Sequence, residues 1–531
     1  MMKFPIGIQS FDKIVSEGYV YVDKTDLIYQ LIKSGTIYFL SRPRRFGKSL
    51  LVSTLKCYFQ GKKELFRGLA IDKLETEWAE YPVFHLDFNG TDFTQAGKLE
   101  DIVEGTVSTW EKEYGRTAEF EDIGKRFVYV LQQAHKRYGK RCVVLIDEYD
   151  KPILDVLDTG YRVTIDGKER LLEDRHREIL KGFYSTFKSA DDDLQFVLLT
   201  GVTKFSQVSI FSGFNQPSDI SMDRRYETLC GITQTELERY FAGPIHELAE
   251  EYGCTDEEMR EKLKHQYDGY HFSKRMVDVY NPFSLLNVFA SLDIQDYWFA
   301  SGTPTYLIRL LNHTQEDLNE ITGRYYRPEE FVDYKADVEK PLPMIYQSGY
   351  LTVKGYERTY NRFLLDFPNN EVKNGFVSLI ATDYLKPREN MRNWVIDVVE
   401  SLRKNELEQL RALFTSFLAG IPYTMRRKSD EREKERYFHY TFYLIFRLVS
   451  VYTTYTEKEQ SQGRSDCIVE SDGYIYIFEF KLDGSADEAL AQIEAKGYAR
   501  PYEADKRPLY KIGVSFSSET GTIEEWKVTE R

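Results

Sequence analysis

The sequence has only five cysteines, Cys57, Cys142, Cys230, Cys254 and Cys467, and no two of them are spaced as C-x-x-C. With Cys142 and Cys467 inside apolar strand-like runs, this pattern predicts neither a disulfide nor a zinc site. Also missing is any apolar run near the ~20 residues that a membrane-spanning helix needs. The opening residues Met1-Met2-Lys3-Phe4-Pro5 lack the apolar core of a signal peptide. The expectation is a cytoplasmic chain without membrane contact. There is no global positive field: 71 Lys and Arg against 85 Asp and Glu leave a formal charge of -14, so a nucleic-acid contact would have to use a local basic patch. Internal repeats and low-complexity tracts are absent too. What remains is a chain of 531 residues, 42% hydrophobic and 29% charged. That is a soluble, globular composition, long enough for roughly three domains of about 100–200 residues.

Up to about Gly231 strand-like and helix-like segments alternate, the pattern of a parallel sheet covered by helices. The predicted strands are Thr36–Ser41, Pro82–Phe88, Cys142–Asp147 and Gln195–Thr200. Helical periodicity follows the first at Lys48–Gln60, with Leu50, Leu51, Leu55, Tyr58 and Phe59 on one side, and precedes the third at Lys125–Tyr138. From Thr233 to about Phe299 the pattern is mostly helical, with solvated charged faces such as TDEEMREKLK. Residues from Ser301 to about Phe376 have poor periodicity and read as a mixed connector. A second α/β segment runs from about Asn393 onward.

Behind the first strand stands SRPRRFGKSL, Ser41 to Leu50. Its end, Gly47-Lys48-Ser49, closes a phosphate-binding loop of the form G-x-x-x-x-G-K-[ST], but Arg42 occupies the first glycine position. In such a loop backbone N–H groups and the helix N-terminus face phosphates, the lysine reaches the same oxygens and the hydroxyl holds Mg²⁺. Lys48 and Ser49 suit those roles. Arg42 does not suit a position that needs positive φ, so the loop should start with different geometry, Pro43 fixing one φ and Arg44 or Arg45 adding charge. Further on, CVVLIDEYD carries an apolar run, Val143–Ile146, into Asp147-Glu148. This places Asp147 by the Mg²⁺ and Glu148 by an attacking water, the arrangement of a hydrolytic P-loop enzyme. A solvated acidic turn after a buried strand is the plainer reading. The strand LQFVLLTGVTKFS ends in Thr200, Thr203 and Lys204, which either sense a γ-phosphate or make ordinary strand-end hydrogen bonds. No N-K-x-D guanine-reading motif occurs, which favours ATP over GTP.

Near the C-terminus, GRSDCIVESDGYIYIFEFK reads as two strands joined by Asp472-Gly473, a dipeptide suited to a type I′ turn. Counting outward pairs Ser471 with Tyr474 and sets Asp466 opposite Glu479, where like charges repel unless a cation lies between them. Glu479 and Lys481 share one face; Tyr476, Phe478 and Phe480 lie on the other with Cys467 and Val469. The two carboxylates suit Mg²⁺, with Mn²⁺ an alternative, and Lys481 could position a water or stabilise charge on phosphorus. The plainer reading is an exposed edge hairpin with an ion pair between Glu479 and Lys481. Helix Ala486–Ala499 follows, with Leu490 and Ile493 inward and Gln492 one residue from that face. Upstream, EKERYFHYTFYLIFRLV puts Glu435 and His439 on one side of a helix. Glu435 could complete a metal shell; His439 fits a packed core at least as well.

These residues match known families. PIGIQSFDKIVSEGYVYVDKTDLIYQL, RPRRFGKSL, VVLIDEYDKP, LLTGVTKFSQVSIFSGFN, YDGYHF and YNPFSLL together resemble the AAA-ATPase-like family, from Pro5 to about Leu286. Arginine at the first loop glycine is part of that family's pattern. The resemblance implies that Arg44, Arg45, Phe46, Gly47, Lys48, Ser49, Asp147 and Thr200 surround ATP and its Mg²⁺, with Glu148 catalytic, and that Tyr21–Thr25 lies near the adenine. The C-terminal portion resembles the PD-(D/E)XK nuclease superfamily. Asp466 matches its first acid, Glu479-Phe480-Lys481 its E-x-K, Gln492 its helix polar residue and Glu435 its upstream acid; Ser465 stands where the superfamily's name has proline.

The implied fold class is α/β: a P-loop NTPase parallel sheet (1–232), a helical lid (233–300), a mixed connector (301–392) and an α/β restriction-endonuclease-like domain (393–531). The implied function is an ATPase coupled to Mg²⁺-dependent cleavage of nucleic acid, DNA foremost, in genome defence or mobile-element handling. The alternative is an ATP-switched interaction or nucleic-acid-binding protein with a silent nuclease fold. Basic candidates for the phosphate contact are Arg426-Arg427-Lys428, Arg500 and Lys506-Arg507. The sequence leaves the oligomeric state open, a homo-oligomer included.

Overall fold

The computed structural model describes residues 2–117, 119–165, 167–205, 217–300, 321–332, 341–376, 391–419, 459–460, 463–464, 467–471, 473–503, 505–517 and 519–531. The chain divides into two compact units, Met1–Lys373 and Asn374–Arg531. In chain order the strands of the first unit are β1 (Ile37–Ser41), β2 (Val83–Asp87), β3 (Cys142–Asp147), β4 (Arg162–Ile165), β5 (Lys168–Leu171), β6 (Leu194–Gly201), β7 (Ser218–Asp219), β8 (Arg324–Tyr326), β9 (Thr352–Glu357) and β10 (Arg362–Asp366).

The main sheet has the order β2-β3-β6-β1-β7 and is parallel throughout. Parallel strands covered by helices are buried on both faces, and β3 accordingly has every residue buried. The four strands expected from the sequence are present, with ends displaced by at most one residue. Register sets Asp87 beside Asp147, Leu40 beside Thr200 and Ser41 beside Gly201. The C-terminal strand ends, where ligands of such sheets bind, therefore carry the polar residues of the sequence motifs.

Helices Gln234–Glu251, Asp256–Tyr267 and Pro282–Ser291 pack a common core of Leu237, Phe241, Ile245, Leu263 and Leu285. In the charged helix Asp256–Tyr267 only Met259, Leu263 and Tyr267 are buried, and Thr255 with Glu258 closes its N-terminus as a capping box. Two features were not expected. An exposed hairpin, β4–β5, follows the acidic strand; Asp166-Gly167 between alternating residues is the sequence signal for it. Part of the aperiodic stretch forms an antiparallel sheet, β8-β10-β9, whose bulge at Leu364/Leu365 disturbs the alternation that would have marked it.

The strands of the second unit are β11 (Glu459–Gln460), β12 (Gly463–Arg464), β13 (Cys467–Glu470), β14 (Ile475–Leu482), β15 (Leu509–Phe516) and β16 (Ile523–Glu530). The last four form a sheet in that order, β14 and β15 parallel and the outer pairs antiparallel. The register Cys467↔Phe478 to Glu470↔Ile475 is the one counted from the sequence, and Ser471 N donates to Tyr474 O at 2.9 Å. Gly473 is not at positive φ, and Asp472, the other central residue, lies outside the described residues; the Ser471 hydroxyl accepts from Tyr474 N at 3.0 Å.

Helix Ala486–Lys496 lies over the face of β14 that carries Ile475 and Ile477, with Ile493 and Tyr498 in the shared core. It ends at Lys496, three residues before the Ala499 expected, and is capped by Gly497 at φ 64°. Gly513, beside Glu479 on β15, allows the close approach: a Cβ there would lie 2.3 Å from the Ala486 carbonyl oxygen. Asp466, Glu435, His439, Asp472 and Arg426-Arg427-Lys428 lie outside the described residues.

Candidate active sites

The loop after β1 enters helix Lys48–Phe59 through Gly47 at φ 92°, with no side chain capping the helix N-terminus. Its first N–H groups are thus free of side-chain acceptors, which is what an anion site requires. Positive φ falls on Arg45 (68°) and Gly47, not on Arg42. Arg42 is 1% exposed, and its guanidinium donates to the carbonyls of Ser41 (2.9 Å), Ser221 (2.7 Å) and Tyr226 (3.2 Å) and lies 4.1 Å from the centre of the Phe272 ring. Burial pushes its pKa down. Arg42 is therefore a strut that ties the loop to its surroundings, and the added charge comes from Arg44 and Arg45.

Lys48 is also buried, its ammonium held by the carbonyls of Arg42 (3.0 Å) and Pro43 (3.1 Å). Arg44, Arg45, Gly47, Lys48, Ser49 and Glu148 converge on one cavity of about 540 Å³, within the ~300–1,000 Å³ usual for small-molecule sites. Two sequence segments give the lining an apolar part, Pro5, Ile6 and Ile8 from one and Pro282, Phe283 and Leu286 from the other. Arg45 lies 4.8 Å from the centre of the Phe283 ring. Asn89, Lys151 and Asp155 complete the rim.

Phe46, Asp147 and Thr200 stand behind this lining. Phe46 is buried edge-on against Tyr270 at 4.7 Å. Asp147 Oδ1 accepts from the Thr200 hydroxyl at 2.5 Å and from Glu148 N at 3.1 Å. Thr203 bonds to Asp150, and Lys204 pairs with Asp219 at 3.0 Å. These strand-end groups serve the acidic turn and its surroundings. Tyr21–Thr25 is not in the lining: Asp23 binds Thr25 and Ala70 N, and Lys24 pairs with Glu236 at 2.6 Å. The neighbouring motifs PIGIQ and YNPFSLL supply the apolar part of the lining instead. Nothing in a periodicity reading assigns them there, because loop backbone brings them to the loop's mouth.

Glu148 sits at φ 51° with its pKa raised by burial, against the pull of Lys48. Behind the loop, the Trp298 indole N–H donates to Arg44 O at 3.1 Å. The Trp298 backbone N–H in turn donates at 2.7 Å to Glu371, a fully buried carboxylate that also accepts from Ser284. A triphosphate nucleotide fits this donor set: an uncapped helix N-terminus, a glycine without obstruction, a lysine, a hydroxyl and a partly apolar lining.

In the second unit Glu479 is 1% exposed on β14, which is flanked by β13 and β15; β13 stands at the end of the sheet order, yet Cys467, Ile468 and Val469 on it are buried. Gln492 donates its amide N–H to Glu479 Oε1, and its Oε1 accepts from Lys481 Nζ at 2.7 Å. The Glu479–Lys481 distance is 3.9 Å. Glu479, Lys481 and Gln492 are thus one cluster, with Gln492 between the other two. Among the described residues no three His, Cys, Asp or Glu side chains converge as a metal cage. Glu479 supplies one hard oxygen donor; Asp466 and Glu435 lie outside the described residues. Arg507 is occupied by Asp505 (2.6 Å), Glu470 (2.8 Å) and Ser471 O (2.8 Å), which removes it from the candidate phosphate contacts.

No helix among the described residues is long and apolar enough to cross a membrane. Residues 5–211 match the family described as predicted AAA-ATPase, and residues 433–526 the PD-(D/E)XK nuclease superfamily. A protein of Azotobacter chroococcum mcd 1, "Uncharacterized protein in vnfD 5'region", is 36% identical over 527 residues, which are 98% of each chain.

Proposed function

Given that the chain belongs to the AAA-ATPase-like family and ends in a PD-(D/E)XK nuclease superfamily domain, we propose that it hydrolyses ATP and uses that cycle to control Mg²⁺-dependent cleavage of DNA. The observation that carries the first half is the convergence of Lys48, Ser49 and Glu148 on a cavity with a partly apolar lining. Lys48 would exchange two loop carbonyls for phosphate oxygens, and Arg44 and Arg45 would add charge beside them. The Ser49 hydroxyl and Asp147, oriented by Thr200, would hold Mg²⁺, which when bound offsets charge on the phosphates. Glu148 would take the proton of the attacking water, its raised pKa making it a better base than an exposed glutamate.

The second half rests on the buried Glu479 bridged by Gln492 to Lys481. Glu479 with Asp466, and Glu435 where it reaches, would hold the divalent ion, which when bound polarises the phosphodiester. Lys481 would stabilise charge on phosphorus. The domain division 1–232, 233–300, 301–392 and 393–531 remains part of this proposal, as do a cytoplasmic setting and a role in genome defence or mobile-element handling.

The test is incubation of the purified chain with linear, circular and single-stranded DNA and RNA, with Mg²⁺ or Mn²⁺, with and without ATP. Metal-dependent cleavage of DNA that Asp466→Asn and Lys481→Ala abolish is the expected result. ATP turnover with no cleavage of any substrate would leave an ATP-driven binding protein.

A further inference from the structure

Glu148 is a non-glycine residue in the left-handed region, φ 51°, at the edge of the nucleotide cavity. Such a backbone persists only where its surroundings over-determine it. The next two residues face the opposite way. Tyr149 and Asp150 are buried, and both grip the chain where it leaves β6. Tyr149 N donates to Thr200 O at 3.0 Å, the Tyr149 hydroxyl donates to Thr203 O at 2.9 Å, and Phe205 N donates back to that hydroxyl at 3.2 Å. Asp150 Oδ2 accepts from Val202 N (3.0 Å), Thr203 N (2.6 Å) and the Thr203 hydroxyl (2.7 Å).

We propose that Tyr149 and Asp150 are positioning residues that fix Glu148 against the cavity by locking the acidic turn to the exit of β6. The inference rests on Glu148 as the base of ATP hydrolysis. Neither residue lines the cavity; the bonds of both run to the β6 exit instead. Beyond Thr200 O, their contacts are with groups at three positions, 202, 203 and 205, just after Gly201. Thr200 also orients Asp147. Both acids of the turn are therefore referenced to one strand end, Asp147 through Thr200 and Glu148 through its two successors. The fit is close from the strand side: a Cβ on Gly201 would stand 2.6 Å from Asp150 Oδ1 and 2.7 Å from the Tyr149 ring. Burial raises the Asp150 pKa, and the bonds from Thr203 counter it. A carboxylate kept in so dry a place, with one oxygen accepting three bonds, costs more than a packed apolar residue would. Its return here is the geometry of its neighbour.

A positioning role separates turnover from binding. The experiment uses the full chain and measures ATP affinity and steady-state ATP hydrolysis for wild type, Glu148→Gln, Asp150→Ala, Asp150→Asn, Tyr149→Phe and Gly201→Ala. Asp150→Ala is expected to lower kcat by about 10–100-fold, the cost of a displacement near 1 Å, with ATP affinity changed by no more than about 3-fold. Asp150→Asn, which keeps one accepting oxygen, should recover part of that loss. Gly201→Ala should reproduce it from the other side. Tyr149→Phe loses only a hydroxyl and tests the pair even where Asp150→Ala fails to fold; it should lower kcat in the same selective way. Wild-type kcat in both Tyr149→Phe and Asp150→Asn, beside an inactive Glu148→Gln, overturns the inference alone. Equal losses of kcat and affinity overturn it too, since they would mark a general structural role. Glu148→Gln turning over like wild type overturns the reading of Glu148, and the inference with it.

Discussion

Lys481 Nζ donates to Gln492 Oε1 at 2.7 Å, and the other end of the same amide donates to Glu479. Gln492 thereby spans the 3.9 Å between cation and carboxylate without neutralising either. Groups that orient a metal-binding carboxylate typically matter about 10–100-fold in metal affinity or activity. Gln492→Ala is expected to lose cleavage in that range while the fold persists. Lys481→Ala should keep metal binding and lose cleavage by about 10²–10³-fold, because the lysine is a charge near phosphorus and not a ligand. A nuclease assay beside a metal titration checks both; full cleavage by either variant would discard its assigned role.

Restoring the missing glycine of the phosphate loop should damage the protein. Arg42→Gly leaves three carbonyls without their donor and a void over Phe272. Hydrogen bonds to a charged group contribute about 1.5–3 kcal/mol each, so a loss of about 3 kcal/mol or more is expected. Arg42→Lys should not rescue it, since an ammonium cannot reproduce the planar fork. Denaturant unfolding measures this, and an Arg42→Gly variant as stable as wild type would refute the strut.

Arg42 also shows where sequence reading stops. That an arginine could not stand in for a glycine at positive φ was legible, because backbone sterics are local. Its partners at Ser221, Tyr226 and Phe272 were not, because they are brought by tertiary contact. The parallel strands and the 467–478 register were legible for the same local reasons, periodicity and alternation. Gln492 was expected near its face and proves to be the centre of the cluster, a distinction set by the closeness that Gly513 permits. Asp150 sat unassigned inside a quoted motif, since one strand's side-chain alternation says nothing about the neighbouring strand's exit.

Lys48 and Glu148 should separate binding from turnover. Lys48→Ala removes the cation that faces the phosphates and is expected to weaken ATP binding by about 10-fold or more, one charge-assisted contact at least. Glu148→Gln should retain ATP and lower kcat by about 10²–10⁴-fold, because an amide cannot accept the water's proton. The pH profile follows from burial. Glu148 must be ionised to act, its pKa is raised, and kcat should therefore fall with acid from a point above the ~4.3 of an ordinary glutamate. An acid limb at or below that point would contradict the buried base.

Glu371 gives the first unit a pH dependence of definite sign. Burial pushes its pKa up to about 8, against the bonds from Trp298 and Ser284 that favour the anion. Unfolded, the same group titrates near ~4.3. Below that value both states are protonated and the residue costs nothing. Between the two values the unfolded chain is ionised while the fold still holds its proton, so stability declines as pH rises, by at most about 1.4 kcal/mol per unit, and levels off above the folded value. Glu371→Gln keeps an oxygen for the Trp298 N–H and an amide that the Ser284 hydroxyl can turn to accept, without the titration. Thermal unfolding of the full chain from pH 5 to 8.5 should thus show a steeper decline for wild type than for the variant. Other groups titrate in both proteins, so the difference between the two curves is the quantity to read. Parallel curves would mean that Glu371 carries its charge in the fold at neutral pH, and that its bonds to Ser284 and Trp298 outweigh its burial.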